Sequence, residues 1–178
     1  MRFGGTKNSW AVTLRVEPLG NHPRAAFRSG SADLDDWFRH RASQDQRRNV
    51  ARVYVALDDE LGVIGFYSLS SSAVSLSELP EGLRRKLPQY PLVPVVLIGR
   101  LARDERVRGT GLGEFLVASA VRRIVSAAEQ VAAYAILVDA KDEPAAAFYR
   151  RFGFLPDPAE PLRLFLPLTT AAKALDLV

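Results

Sequence analysis

The chain has 178 residues, 48% of them hydrophobic and 25% charged, with a net charge of +4 at pH 7. That is the balance of a soluble globular protein with one domain and one sizeable core. There is no cysteine, and His22 and His40 are the only histidines, which excludes disulfides and thiolate-bound metals and leaves too few ligands for a zinc or iron centre, so no metal is expected.

In chain order, a polar leader over residues 1–11 precedes LRVEPLG, which reads as a short strand and turn. SADLDDWFRHRASQDQRR reads as one amphipathic helix with Ser31 as N-cap. Leu34, Trp37, Phe38 and Ala42 fall on one stripe, and Asp33, Asp35 and Asp36 precede the arginines as the helix dipole prefers. RVYVALDDELGVIGFYSLSSSAV gives two strands around a turn at residues 58–62, a hairpin. SELPEGLRRKLPQYPLVP is rich in proline and predicts an irregular crossing with a short helix at most. VVLIGRLARD is then an apolar strand. After a glycine-rich turn comes a helix with a buried row of Leu112, Leu116, Ala120, Ile124 and Ala128 beside Phe115. AYAILVDA is a strand. KDEPAAAFYRRFGF is a small helix, with Pro144 just inside its start, Asp142 and Glu143 at the positive end of its dipole, and Gly153 beyond its end. LRLFLPL is the last strand, and the tail over 169–178 is a candidate frayed helix. This order predicts a mixed α/β fold, a central mixed β-sheet flanked by helices on both faces, with a ligand crevice at the central strand–glycine turn–helix unit.

The longest apolar runs, such as VAAYAILV at 131–138, are far shorter than a membrane span, and MRFGGTKNSW lacks the apolar core of a signal peptide. A cytoplasmic protein with no membrane partner is expected. Positive charge is gathered in two places. Arg39, Arg41, Arg47, Arg48 and Arg52 stand against Asp45, and Arg84, Arg85, Lys86, Arg100, Arg103, Arg106 and Arg108 stand against Asp104 and Glu105. Such clusters suit a polyanionic partner; a solvated surface is the competing reading.

The stretch RVRGTGLGEF puts three glycines within five residues at the head of a helix. Glycine there costs roughly 0.5–1 kcal/mol of folding free energy per residue, but it removes Cβ atoms and lets successive N–H groups point into one concavity at the positive end of the helix dipole. That arrangement suits a phosphate; a plain turn is the alternative. Neither the G-x-G-x-x-G spacing of dinucleotide folds nor a P-loop is present, since no lysine and hydroxyl pair follows the last glycine.

Arg108-Gly109-Thr110-Gly111-Leu112-Gly113 resembles the [QR]-x-x-G-x-[GA] signature with which GNAT N-acetyltransferases wrap the pyrophosphate of acetyl-CoA. FYRRFGF, with Tyr149, resembles their second landmark. A frame beginning at Arg106 also fits; the one at Arg108 places the last glycine in the first helical turn. FRSG, LDDWFRHRASQDQRRNVARVYVA, LPQYPLVPVVLIGRLARD and VDAKDEPAAAFYRRFGF further resemble the GNAT toxins of bacterial toxin–antitoxin pairs, which acetylate aminoacyl-tRNA and arrest translation. Ser29 stands where those toxins often have cysteine. The resemblance implies the GNAT acyl-CoA N-acyltransferase fold and acetyl-CoA as cosubstrate. It also implies a ribbon-helix-helix antitoxin as partner and a homodimer.

It further implies that main-chain groups of Leu101, Ala102 and Arg103 pair with the pantetheine arm like an added strand, one N–H polarising the thioester carbonyl. Tyr149, a phenol of ordinary pKa about 10, would protonate the departing thiolate; a core tyrosine with a satisfied hydroxyl is the plain alternative. No histidine or carboxylate stands out as a base. A lysine amine of pKa about 10.4 is neutral in only about one part in 2,500 at pH 7, whereas an α-amine near 7.7–8.0 is neutral at about a tenth, so an α-amine is the favoured acceptor. Arg48, Arg52, Arg84, Arg85 and Lys86 are candidates to hold tRNA phosphates. The resemblance thus implies acetylation of the aminoacyl-tRNA α-amine by the toxin of a toxin–antitoxin pair. Acetylation of protein N-termini or a small amine, and an RNA-binding module without catalysis, are the alternatives.

Overall fold

In the computed structural model, which describes residues 14–175, the elements follow the expected order. The leader and the last three residues of the tail lie outside the described residues. The described residues form two compact units by their contacts: one holds residues 14–70 together with Gly99–Ala120, the other holds Ser71–Ile98 and residues 121–175. No helix among the described residues is long and apolar enough to cross a membrane.

In the first unit β1 (Arg15–Pro18), β2 (Arg52–Asp58) and β3 (Gly62–Val74) are successive antiparallel neighbours, and the last residues of β4 (Val93–Arg103) lie on the far side of β3. The hairpin turn is held by the Asp58 carboxylate, which accepts from the amides of Glu60 and Leu61. Period-two alternation along β3 sorts its side chains between two faces. Phe66 stacks on Phe38 with centroids 4.1 Å apart and lies among Phe27 and Trp37 on one face. Its neighbours Gly65 and Tyr67 meet α4 (Leu112–Ala127) on the other, where a Cβ on Gly65 would stand 2.9 Å from Leu116 Cδ1 and the Tyr67 hydroxyl is 2.9 Å from Ser119 Oγ.

The expected single helix after residue 31 is two, α1 (Ala32–His40) and α2 (Ala42–Arg47). The break has a local cause. The Arg24 guanidinium donates to the Phe38 carbonyl and to Ser43 Oγ, taking an acceptor of the i→i−4 ladder at the junction. Ser31 occupies the N-cap position as expected, though its side chain makes no cap bond. Ser29 Oγ instead accepts from the Ser31 amide and donates to Asp35, which is buried rather than solvated and also accepts from the Ser29 amide.

In the second unit β4 pairs in parallel with β5 (Ala135–Asp139), β5 pairs antiparallel with β7 (Arg163–Pro167), and β7 with the two-residue β6 (Leu155–Pro156). The proline-rich crossing contains a 3-10 turn at Leu76–Glu78 and the one-turn α3 (Glu81–Arg84). It is anchored by Leu79 and Leu83, which join Val93, Val95, Leu137 and Phe165 in a buried cluster. Each such side chain contributes about 1.5–3 kcal/mol by leaving water. The expected helix with Tyr149 is α5 (Glu143–Arg150), and the start of the tail is helical as α6 (Leu168–Ala174), held by buried Ala171. Arg163 ties Asp139 and Glu78 together. On α4 the row Leu112, Leu116, Ala120 and Ile124 is buried as expected, but Ala128 lies past the helix end and Phe115 is 40% exposed. Val117 and Val121 complete the buried stripe in their place.

Candidate active site

The glycine turn is built on the end of β4. The β4–β5 register runs only to Ile98↔Val138 while β4 continues to Arg103, so among the described residues Gly99–Arg103 have a strand neighbour on the β3 side alone. Ala102 is buried, and Leu101 and Arg103 are half-buried. The chain then reaches Asp104, 1% exposed, whose carboxylate accepts from the amide and guanidinium of Arg106 and from the Arg28 amide at 3.1 Å. Burial by itself would raise this carboxyl, but those hydrogen bonds and the Arg106 charge hold it below the usual aspartate range. The Glu105 amide donates to the Arg28 carbonyl at 2.8 Å, so both sides of the same crossing segment grip the start of the turn.

A 3-10 turn at Glu105–Val107, with Val107 buried, leads to Arg108-Gly109-Thr110-Gly111. The Thr110 hydroxyl donates to the Val107 carbonyl at 2.6 Å. Gly109 and Gly111 both have positive φ, +76° and +85°, where an L side chain is strained. A Cβ on Gly109 would find nothing within 4 Å, so its glycine answers to backbone conformation and leaves open space above the turn. Gly113 is the second residue of α4, inside its first turn. The first amides of a helix have no intrahelical partner, and here they follow two left-handed glycines. Such a turn accepts an anion on main-chain N–H groups, aided by the helix dipole. Arg106 is committed to Asp104, whereas Arg108 has a 66% exposed side chain whose nearest carboxylate, Glu105, is 4.0 Å away.

Tyr149 belongs to the other unit. Its helix starts at Asp142, whose carboxylate accepts from the Ala145 amide at 2.9 Å, and is turned out by Gly153 at φ +90°. The inward face carries Ala146 and Phe152, both buried; Phe148 is only half-buried, with the Arg151 guanidinium over its ring. The Tyr149 ring is edge-on to Phe148 and Phe154, with centroids at 5.3 and 5.5 Å. Burial pushes its phenol up to about 12, and its hydroxyl has no hydrogen-bond partner among the described residues. Two other phenols that are buried or half-buried differ: Tyr67 meets Ser119, and Tyr134 donates to the Leu83 carbonyl.

The other singled-out residues are placed as follows. Arg48 and Arg52 are exposed in the first unit, Arg52 donating to Asn49; Arg84, Arg85 and Lys86 are exposed in the second, Arg85 paired with Glu81. His22 is held between the Gly20 amide and Glu17, and His40 pairs with Asp36 at the surface. Trp37 is core. Among the described residues Asp35, Asp104 and Asp157 are the buried carboxylates, and each already accepts hydrogen bonds. Among the described residues no cluster of histidine and carboxylate suits a metal. Sequence reasoning missed Asp104 and Arg28, whose signal is weak: an aspartate one residue after a strand, and an arginine whose main chain rather than side chain does the holding.

Residues 49–156 match the acetyltransferase (GNAT) domain family. A tRNA-acetylating toxin of Mycobacterium tuberculosis is 41% identical over 84% of this chain and 88% of its own length. A probable toxin TacT of Sinorhizobium fredii is 35% identical over 92% and 96%. Among solved structures, AtaT complexed with acetyl-methionyl-tRNAfMet has a TM-score of 0.82 at 29% identity, covering 92% of this chain and 98% of that one. A mutant of AtaT bound to the C-terminus of the antitoxin AtaR and acetyl-CoA has a TM-score of 0.77 at 25% identity, with the same coverage.

Proposed function

The chain belongs to the GNAT acetyltransferase family, and from that premise we propose that it transfers acetyl from acetyl-CoA to the α-amine of an aminoacyl-tRNA, acting as the toxin of a toxin–antitoxin pair. The observation that carries the reading is the pair of left-handed glycines at the head of α4, with open space above Gly109, beside a β4 end with one unpaired edge. A diphosphate needs bare amides and room, and an extended pantetheine arm needs a strand edge.

Acetyl-CoA supplies an activated thioester. In this reading the amides around Gly109, Thr110, Gly111, Leu112 and Gly113 hold its diphosphate, with Arg108 beside them. Main-chain groups of Leu101, Ala102 and Arg103 align the arm, and one of those N–H groups stabilises the charge that develops on the carbonyl oxygen. Tyr149 stays protonated at every physiological pH and gives its proton toward the departing sulfur. The carboxylates that are buried and the two histidines are engaged elsewhere, which favours an acceptor needing no strong base, the α-amine rather than a lysine side chain. Acetylation removes the nucleophile of peptide-bond formation. The exposed Arg48, Arg52, Arg84, Arg85 and Lys86 supply positive charge for the tRNA backbone. A ribbon-helix-helix antitoxin and a homodimeric state complete the proposal.

Purified protein given labelled acetyl-CoA and a pool of charged tRNA is expected to place label on the aminoacyl moiety. Label found only on polyamines, protein N-termini or lysines refutes the tRNA assignment. The absence of any acetyl-CoA binding by calorimetry refutes the enzyme assignment.

A further inference from the structure

Among the described residues of the first unit, one arginine is stacked on an aromatic ring with neither a carboxylate nor a carbonyl on its guanidinium. Most guanidiniums there have a carboxylate or carbonyl: Arg15 has Asp59, Arg39 has Asp35 and the Phe27 carbonyl, Arg41 has Asp36, and Arg106 has Asp104. Arg100 lies with its guanidinium carbon 4.2 Å over the Trp37 ring, and among the described residues no carboxylate is within ion-pair distance. It is held at three levels. Its amide donates to Ser68 Oγ at 3.0 Å, and Ser68 is itself buried. Its guanidinium is fixed by the ring face. The ring in turn is fixed by Trp37 Nε1 donating to Asp45 at 2.8 Å.

This places a charge without using its donors. Stacking on an indole orients a guanidinium, and the N–H groups at its rim remain available for two parallel bonds to an oxyanion. The group is partly withdrawn from water, which lowers its pKa from the usual arginine value; Asp45 counters this shift and Arg41 adds to it. An anion arriving at its open edge would compensate that loss of solvation.

Position on the strand selects the ligand. Ala102, two residues on, belongs to the same apolar cluster as Trp37 and Phe66, so Arg100 points to the α1 face of the sheet. The α4 helix, which the glycine turn heads, meets the opposite face through Leu112 and Leu116 at Gly65. Arg100 is therefore on the other side of the strand from the turn assigned to the cofactor's diphosphate, yet its main chain is joined directly to Leu101, about 3.8 Å away from Cα to Cα. An anion that is close to the reacting atoms but is not part of the cofactor belongs to the acceptor. We propose that Arg100, stacked on Trp37, is a specificity-determining residue that receives the phosphate of the terminal nucleotide carrying the aminoacyl group.

The inference rests on the tRNA-acetylating reading and is tested with the intact protein. Steady-state kinetics are measured on charged tRNA and on an aminoacyl-nucleoside that lacks phosphate, each at several salt concentrations. Arg100→Gln is expected to raise KM for charged tRNA about tenfold or more, the loss of a charged bidentate contact. The log–log salt slope is expected to fall by about 0.7, one single-strand phosphate contact. Preference for charged tRNA over the phosphate-free acceptor falls by the same factor as KM rises, and KM for acetyl-CoA stays put. An unchanged KM and slope, or an equal loss on both acceptors, overturns the proposal. If Arg100→Gln melts early, Arg100→Lys decides: it keeps the charge and loses the planar stack, so a KM raised for charged tRNA alone supports the assignment and an unchanged KM overturns it. Wild-type protein that fails to acetylate charged tRNA at all refutes instead the reading on which this one rests.

Discussion

Replacing Tyr149 by phenylalanine removes one oxygen and makes two measurable predictions. Burial raises the phenol from 10 to about 12, so the folded chain holds that proton through a pH range in which the unfolded chain releases it. A group whose folded pKa is raised leaves stability intact below the unfolded value and erodes it as pH climbs toward the folded one. Two units at 1.36 kcal/mol each give about 2.7 kcal/mol of stability lost between pH 10 and 12 through this residue. Urea unfolding of wild type and Tyr149→Phe across pH 8–11.5 isolates the contribution, because the other tyrosines titrate in both proteins. The variant is expected to lose less stability above pH 10, with the gap widening toward about 2 kcal/mol at pH 11.5. In turnover the same substitution is expected to lower kcat by about 10²–10⁴, the range for loss of a general acid, with acetyl-CoA affinity kept. Wild-type rate should rise with pH through the α-amine range near about 7.7–8.0 and show no alkaline decline near 10. Parallel loss of stability in both proteins refutes the desolvated phenol, and unchanged kcat removes Tyr149 from the mechanism.

Three further substitutions probe the turn and its supports. Gly109→Ala meets no atom but must adopt φ +76°, so a loss of about 1–2 kcal/mol in denaturant melts is expected, with weakened acetyl-CoA binding by calorimetry; full stability with full affinity contradicts the strained-turn account. Gly65→Ala sets a Cβ 2.9 Å from Leu116 Cδ1 and 3.3 Å from the Ala102 carbonyl, and overpacking of this kind costs about 1–3 kcal/mol, partly recovered by adding Leu116→Val. Asp104→Asn weakens charged hydrogen bonds worth about 1.5–3 kcal/mol each. Since the folded carboxyl lies below the unfolded one, its stabilisation is present above about pH 3.9 and is lost as pH falls through the lower folded value. Wild type should therefore lose its advantage over Asp104→Asn only in acid, read by circular dichroism between pH 5 and 2.

Element type and order were legible because each segment carries one clear period: two in GVIGFYSLSSSAV, near four in the row from Leu112 to Ile124. The glycine turn could be read for a similar reason, since the left-handed positions at Gly109 and Gly111 leave few residue choices. What was not legible depends on partners remote in sequence. The break at Arg41 comes from Arg24 reaching the Phe38 carbonyl, and propensity carries no trace of that contact. Ser31 is the N-cap as read, but that its hydroxyl makes no cap bond while Ser29 bonds the buried Asp35 was not legible. Phe115 sits where a buried row would take it, yet points outward, because period alone does not say how wide the covered stripe is. Arg100 and Trp37 lie 63 positions apart, so their stacking was invisible until β4 and α1 were placed.

The main chain of Arg28 grips the glycine turn from 76 positions earlier, through its own amide to Asp104 and through its carbonyl to Glu105. The firmness of the turn is thus borrowed rather than intrinsic. Anything that pries Phe27–Gly30 from its seat would slacken a phosphate cradle it never touches, and an agent able to silence this protein need not compete for the cradle at all.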